Sequence, residues 1–167
     1  MSGDKIPVSV LVVMYSADGD FLLIERADRA GYWQSVTGSL DWAEEPPLQA
    51  AARELLEETG LQAQPCEAPP VLGCSVEQLC EPMRLRPWPH QLQYEIFSHW
   101  RHRYPPGVTH NTEHWFAVCL PSGTLPNLSA KEHVAYAWLG AEEAAARCFS
   151  PNNAQAILAL AKRLIKK

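Results

Sequence analysis

Two glutamates one helical turn apart, Glu54 and Glu58, are the residues of this sequence best placed to do chemistry. At about 100° per residue, their side chains lie about 40° apart on a helix. Two carboxylates at this spacing repel each other by a few tenths of a kcal/mol, roughly, and a divalent cation removes that repulsion. Mg²⁺ prefers oxygen ligands and is usually held by one or two carboxylates together with substrate phosphates. The pair therefore indicates either a magnesium site or, as for most such pairs, a solvated acidic face.

A helix that carries these glutamates is predicted between Pro46 and Gly60. Proline suits the first turn of a helix, and glycine suits its C-terminal cap. Residues at three- and four-residue steps predict one buried face. They are Leu48, Ala51, Ala52, Leu55, Leu56 and Thr59. The two glutamates fall beside the edge of this face, whereas Arg53 projects from a different side of the helix.

Residues 38–61 resemble the Nudix box: G, five residues, E, seven residues, then R-E-U-x-E-E-x-G-U, with U a bulky aliphatic residue. Seven residues separate Glu45 from Arg53. The positions that match from there on are Arg53, Glu54, Leu55, Glu57, Glu58, Gly60 and Leu61. Six residues, not five, separate Gly38 from Glu45. The extra residue is assigned to the turn at 41–44, because turns accept insertions and helix register does not. Either Glu44 or Glu45 is then the first glutamate of the motif.

Other segments resemble one bacterial Nudix subfamily, the dihydroneopterin triphosphate pyrophosphohydrolases, also described as dATP pyrophosphohydrolases. These segments are 33–39, 95–99, 101–104, 106–109, 111–113 and 132–133. The resemblance covers nearly the whole chain except a proline-rich insertion at about 63–93. It implies a single domain over residues 1–167 of the α/β class, with the Nudix fold: an α/β/α sandwich around a mixed β-sheet.

The resemblance also implies which residues form the site. The metal ligands would be Glu54, Glu58 and Glu132, with Mg²⁺ as the cofactor and Mn²⁺ as a substitute. The substrate pocket would be lined by Lys5, Arg26, Thr37, Tyr94, Glu95, Ile96, Phe97 and Ser150. The catalytic residues would be Arg53, Glu57, Glu58 and Glu132. Among these, Glu57 or Glu132 would accept the proton of the attacking water, and Arg53 would orient the glutamates.

The implied reaction is Mg²⁺-dependent hydrolysis of dihydroneopterin triphosphate to the monophosphate and pyrophosphate, a step toward folate. Action on dATP and other nucleoside triphosphates is also expected. A general or oxidised-nucleotide dNTP diphosphatase is one alternative. A non-catalytic Nudix module that senses nucleotides or binds a partner is another, although the intact glutamate set argues against it.

Three features allow two interpretations each. Arg26 either pairs with Asp28 at the surface or binds a phosphate oxygen at the end of a strand. The basic and aromatic segment 101–104 either completes a sheet edge or offers positive charge to a polyphosphate and a flat surface to a ring. Tyr94 and Phe97 either stack on the pterin ring or belong to the core.

Apolar patterns predict the remaining elements. Strands are expected at 8–15, 21–25, 33–37, 94–100, 112–120 and 134–139, and helices at 141–147 and 152–165. Asp18 and Gly19 predict a hairpin turn after the first strand. Prolines between 62 and 93 argue against long regular elements there, apart from a strand near 71–76. Lys162, Arg163, Lys166 and Lys167 are expected to complement the dipole of the last helix.

Composition narrows the class of protein. A length of 167 residues suits one domain, and a net charge of −5 argues against a nucleic-acid partner. The chain shows no signal-peptide or membrane-spanning pattern, so a cytoplasmic protein that acts on a small-molecule triphosphate is expected. Five cysteines without CxxC spacing predict reduced thiols, and the spacing of Cys66, Cys74, Cys80 and His90 matches no zinc site. Monomer and homodimer both remain open.

Overall fold

The computed structural model of the protein describes residues 4–165. Residues 1–3 lie outside the described residues, and the expected absence of a signal peptide was inferred partly from them. Lys166 and Lys167, which were expected to complement the dipole of the last helix, also lie outside. The strands are β1 (Val8–Tyr15), β2 (Asp20–Arg26), β3 (Trp33–Gln34), β4 (Val36–Ser39), β5 (Gln64–Pro65), β6 (Arg84–Glu95), β7 (His110–Cys119) and β8 (His133–Gly140). The helices are α1 (Pro47–Thr59), α2 (Val76–Leu79), α3 (Ala141–Arg147) and α4 (Pro151–Leu164).

One mixed sheet contains all eight of these strands, in the order β3-β2-β1-β7-β6-β5, with β4 paired to β1 and β8 paired to β2. β1 runs parallel to β7, and β5 runs parallel to β6, while the other pairs are antiparallel. Apart from Ser9, the residues of β1 are apolar or aromatic, as expected for a strand that is covered on both faces. Val10 and Val12 pack in the cluster that contains α1, whereas Leu11 and Val13 pack in the cluster that contains α3 and α4. Helices therefore cover both faces of the sheet, as the predicted α/β/α sandwich requires.

Helix α1 follows its predicted bounds closely. Pro46 caps its N-terminus, and Gly60 adopts the left-handed conformation (φ 72°) and donates its N–H to Leu56 O. The predicted apolar face needs one correction: Leu56 is 48% exposed, and Ala50 is buried instead. Leu56 lies about 100° round the helix from the buried Leu55, which turns it away from the sheet.

The proline-rich insertion contains more regular structure than predicted. The expected strand near 71–76 is wrong: Val71–Gly73 forms a 3₁₀ turn, and α2 begins after a Ser75 capping box. The second half of the insertion belongs to the twelve-residue strand β6. Prolines at 87 and 89 are tolerated because β5 pairs only with the beginning of β6, which leaves the rest of that edge without a neighbouring strand.

Two other predicted strands differ from the structure. The strand expected at 94–100 is wrong beyond Glu95, where β6 ends and Ser98–Arg103 forms a 3₁₀ helix. The strand expected at 33–37 is split at Ser35 into β3, which pairs with β2, and β4, which pairs with β1. Ser35 exchanges two hydrogen bonds of 2.8 Å with the buried side chain of Asn153 on α4. These two residues are 118 positions apart in the sequence, and their contact fixes the point at which the chain stops pairing with β2 and begins to pair with β1.

The remaining predicted elements agree with the structure to within about two residues at each end, which is the usual uncertainty of such boundaries. The five cysteines are all free thiols, as predicted. Within residues 4–165, no helix combines the length and apolar character that spanning a membrane requires.

Candidate active site

Two adjoining chambers open on the side of the sheet where β4 and the N-terminal segment meet. The acidic chamber, of about 560 Å³, is lined by Glu54, Glu58, Glu132 and His133. The aromatic chamber, of about 270 Å³, is lined by Tyr94, Phe97, Trp100, Tyr104 and Phe149. Three cationic side chains, Lys5, Arg26 and Arg103, line both chambers. An acidic, a basic and an aromatic surface therefore follow one another along one cleft.

Helix α1 presents Glu54 and Glu58 to the acidic chamber, on the edge of its buried face as predicted. Glu58 is 3% exposed. Burial raises the pKa of Glu54 to about 7. Burial and the charge of Glu54 together raise the pKa of Glu58 well above its usual range. Glu58 Oε1 lies 3.5 Å from His133 Nε2 but has no hydrogen-bond partner among the described residues. A buried carboxylate with such an oxygen beside the partly buried carboxylate of Glu54 is a donor set that a hard divalent cation would complete.

Gly38 of β4 lies against the carboxylate of Glu54. A Cβ atom built at this position would overlap Glu54 Oε2 and Cδ. The glycine at the start of the motif therefore leaves room for the carboxylate of Glu54, and Gly38 lines both chambers.

Arg53 holds the acidic residues of the box together. Its Nε and Nη2 each donate to Glu45 at 3.0 Å, and Nη1 donates to Glu54 and to Glu57 at 3.2 Å. Glu45 is buried, also accepts the N–H of Asp41, and has its pKa lowered chiefly by the hydrogen bond from Arg53. Glu44 is exposed. Glu45 therefore occupies the position of the first glutamate of the box, which resolves the alternative that the extra residue left open.

The two candidate proton acceptors have different surroundings. Glu132 lines the acidic chamber, and its charge contributes to the raised pKa of Glu58. Glu57 lines neither chamber; its side chain is 54% exposed and paired with Arg53. Within residues 4–165, no three His, Cys, Asp or Glu side chains lie close enough to form a metal site by themselves. Glu132 is thus not close enough to Glu54 and Glu58 to form a three-carboxylate cluster with them.

The eight residues predicted to bind substrate all line the aromatic chamber, and Lys5, Arg26 and Thr37 line the acidic chamber as well. Burial, followed by the charges of Arg103 and Arg26, lowers the pKa of Lys5. Arg26 pairs with Asp28 at 2.7 Å, as the first of its two interpretations predicts, and it also lines both chambers; its contact with a phosphate oxygen stays a prediction.

Residues 101–103 belong to the 3₁₀ helix, with Tyr104 at its C-terminal cap, so the predicted sheet edge is wrong; the contact with a polyphosphate and a ring stays a prediction. Arg103 faces the cleft, with its guanidinium 5.8 Å from the ring centre of Trp100. Arg101 instead pairs with Glu95. Phe97 contacts Trp100 and Phe149 but stays 44% exposed, so it belongs to the chamber wall and not to the core.

Residues 5–160 match the family model of the NUDIX domain. The chain belongs to the Nudix family. This Nudix protein is 42% identical over 154 residues to the dihydroneopterin triphosphate diphosphatase of Escherichia coli strain K12. The alignment covers 92% of the chain and 91% of that relative. It is 35% identical over 150 residues to the Haemophilus influenzae protein of the same name, with 89% and 84% coverage. The solved structure of the E. coli dihydroneopterin triphosphate pyrophosphohydrolase aligns with a TM-score of 0.75, at 43% identity and with 92% and 94% coverage.

The predicted family and fold are therefore confirmed. Nudix hydrolases generally use divalent metal ions. The orphaned oxygen of Glu58 and the space that Gly38 leaves for Glu54 fit such an ion in this Nudix protein.

Several chamber residues of the Nudix protein were not predicted as site residues. They are Gln34, Trp100, Asn111, Glu113 and Phe149. Asn111 and Glu113 lie in a segment that carried the subfamily resemblance, yet no role was assigned to them. The available signal was a pair of polar side chains two residues apart on a strand, which places both on one face of the sheet.

Proposed function

We propose that this Nudix protein hydrolyses dihydroneopterin triphosphate to dihydroneopterin monophosphate and pyrophosphate, by cleavage between the α- and β-phosphates. The observation that carries the proposal is the order of surfaces along the cleft: carboxylates, then cations, then aromatic rings. A substrate with a flat ring at one end and a triphosphate at the other matches that order. The 42% identity to the E. coli dihydroneopterin triphosphate diphosphatase over 92% of the chain supports the same substrate.

Glu54 and Glu58 would hold Mg²⁺, or Mn²⁺ as a substitute, and the ion would supply positive charge to the phosphoryl oxygens and to the attacking water. Arg53 fixes Glu54 by a direct hydrogen bond while Glu45 anchors the guanidinium. Lys5, Arg26 and Arg103 then bind the remaining phosphate oxygens. Cations in a cleft with buried walls stabilise the charge that develops during phosphoryl transfer.

Glu132 accepts the proton of the attacking water in this proposal. It lines the acidic chamber together with Glu58, and within residues 4–165 its carboxylate forms no ion pair. Glu57 acts on the chemistry through Arg53, which it contacts at 3.2 Å. Residues 1–167 form a single Nudix domain in this proposal, with the segment 63–93 as an insertion; the continuous sheet that includes both β1 and β8 supports this.

The test is pyrophosphate release in Mg²⁺ from dihydroneopterin triphosphate, dATP and 8-oxo-dGTP, with kcat/KM measured side by side. The highest kcat/KM on the pterin substrate is expected. An equal or higher value on dATP or 8-oxo-dGTP would replace the proposal with a general or oxidised-nucleotide dNTP diphosphatase. Failure to release pyrophosphate from any of the three, together with a rise in melting temperature on addition of Mg²⁺ and a non-hydrolysable triphosphate, would identify a nucleotide-sensing module.

A further inference from the structure

The floor of the aromatic chamber contains a buried carboxyl group that the reaction does not use. Glu113 lies on β7 and is 6% exposed, and Asn111, two residues before it, is 1% exposed. Both residues line the aromatic chamber and neither lines the acidic chamber. Because side chains two apart on a strand share one face, the two polar groups lie on the same side of the sheet.

Glu113 has few partners for a buried acid. Its Oε1 accepts one hydrogen bond, from Trp115 Nε1 at 3.0 Å. Among the described residues, no Lys, Arg or His forms an ion pair with it, and no donor is paired with Oε2. Burial raises the pKa of Glu113. An acid buried in this way is costly unless a ligand supplies the missing donors.

Asn111 adds a second unsatisfied acceptor to the same floor. Its Nδ2 donates to Ser9 Oγ at 2.7 Å and to Tyr94 Oη at 3.2 Å. Its Oδ1 has no partner among the described residues. Glu113 Oε2 and Asn111 Oδ1 are therefore two acceptors on this floor that are not paired with a donor among the described residues, and a ring that binds them must present donors.

We propose that Glu113 selects the ring of the substrate by accepting hydrogen bonds from the ring N–H and the neighbouring 2-amino group of a 2-amino-4-oxopyrimidine. This inference rests on the proposed function, because the pterin of dihydroneopterin triphosphate carries that donor edge. A carboxylate has about four lone-pair sites, so Glu113 accepts from the ring while Oε1 keeps its bond to Trp115.

The arrangement of the cleft allows both ends of the substrate to bind at once. Glu113 lines the aromatic chamber, Glu54 and Glu58 line the acidic chamber, and the three cations line both. With the donor edge of the ring on Glu113, the triphosphate extends past the cations toward the carboxylates of α1. Glu113 is thus a binding residue for the ring and takes no part in cleavage.

The test compares two fluorescent heterocycles that differ at one position. Pterin carries an amino group at C2, whereas lumazine carries an oxygen there, which turns a donor into an acceptor. Titration of the full-length protein without metal or triphosphate is expected to give a Kd for pterin at least about tenfold lower than for lumazine. Equal affinities, or tighter binding of lumazine, would overturn the inference.

Glu113→Gln identifies the residue responsible. The glutamine oxygen keeps the hydrogen bond from Trp115, so the NH₂ group of the glutamine faces the ring. That group is a donor, and it cannot accept hydrogen bonds from the N–H and amino groups of the ring. The preference for pterin is then expected to disappear or reverse, at a melting temperature no lower than that of the wild type. Glu143→Gln, at an exposed glutamate of α3, is the matched control and should keep the wild-type preference. A Glu113→Gln variant that retained the full preference would assign ring selection to another residue and overturn the inference. Equal affinities for pterin and lumazine in the wild-type protein would overturn it even if this variant did not fold.

The binding assay separates this inference from the proposed function, since it requires neither metal nor hydrolysis. A pterin preference that depends on Glu113, in a protein that does not cleave dihydroneopterin triphosphate, would contradict the reaction alone. Cleavage of that substrate by a protein that binds pterin and lumazine equally would contradict the ring selection alone.

Discussion

Both carboxylate oxygens of the buried Glu45 accept hydrogen bonds from Arg53, at 3.0 Å each. Arg53 also reaches Glu54 and the backbone carbonyl of Ser39 on β4. One guanidinium thus connects the turn before α1, the helix itself and the strand beside it. Such a connection needs the planar fork of arginine, because a lysine offers a single point of charge.

Arg53→Lys is therefore expected to lower kcat by about tenfold to hundredfold, with a smaller change in KM, because Glu54 loses its fixed orientation. Steady-state kinetics in saturating Mg²⁺ measure this split. Arg147→Lys is the control, since Arg147 forms an exposed pair with Glu143 at the same four-residue spacing on α3. A kcat that stayed at the wild-type value in Arg53→Lys would show that the network does not orient the site.

Glu58→Gln is expected to retain the fold and lose Mg²⁺-dependent turnover by about 100-fold or more. In the absence of metal, the melting temperature should rise by about 2–4 °C for each kcal/mol gained, because a buried, unsatisfied carboxyl has been replaced by a neutral amide. The wild-type rise in melting temperature with Mg²⁺ and a non-hydrolysable triphosphate should be lost. Turnover at the wild-type rate in this variant would remove the proposed metal site.

Gly38→Ala tests the space that the strand leaves for Glu54. The added Cβ atom displaces the end of a side chain, not backbone, so the fold is expected to persist while Mg²⁺-dependent activity falls by about tenfold or more. Gly140→Ala is the matched control: its φ is −62°, and a Cβ there meets nothing within 4 Å. Circular dichroism checks that both variants fold. Equal activities of the two would show that Gly38 does not need to leave room for the Glu54 carboxylate.

Arg86→Met tests whether the insertion is structurally separate from the site. Arg86 is 4% exposed and donates to Pro69 O at 3.0 Å and to Glu81 at 2.6 Å, which ties the first part of the insertion to its β6 part. The loss of these bonds should cost about 1–3 kcal/mol of the free energy of unfolding, with kcat unchanged. Denaturant unfolding measures the difference against Arg84→Met, which replaces an exposed arginine on the same strand. If kcat fell together with the free energy of unfolding, the result would show that the insertion is coupled to the active site.

Local signals account for the parts of the structure that were predicted correctly. The bounds of α1 follow from Pro46, Pro47 and Gly60, whose preferences act within one helical turn. The strand at 8–15 and the turn at Asp18 and Gly19 are likewise set by neighbouring residues. The errors arose where a distant contact decides, as at Ser35, whose bonds to Asn153 split one strand into two.

The sequence by itself determined that Glu54 and Glu58 stand side by side, because helix register is fixed by residues a single turn apart. Only the tertiary structure decided that Glu45 and not Glu44 holds Arg53, since a turn with an extra residue has no fixed register. Only the tertiary structure, too, placed Glu113 in the wall of the aromatic chamber, where it forms no ion pair with a Lys, Arg or His of residues 4–165. Whether a buried acid has an ion-pair partner depends on residues from distant strands that meet in the sheet, and the spacing of residues along the sequence does not predict which of them will be neighbours.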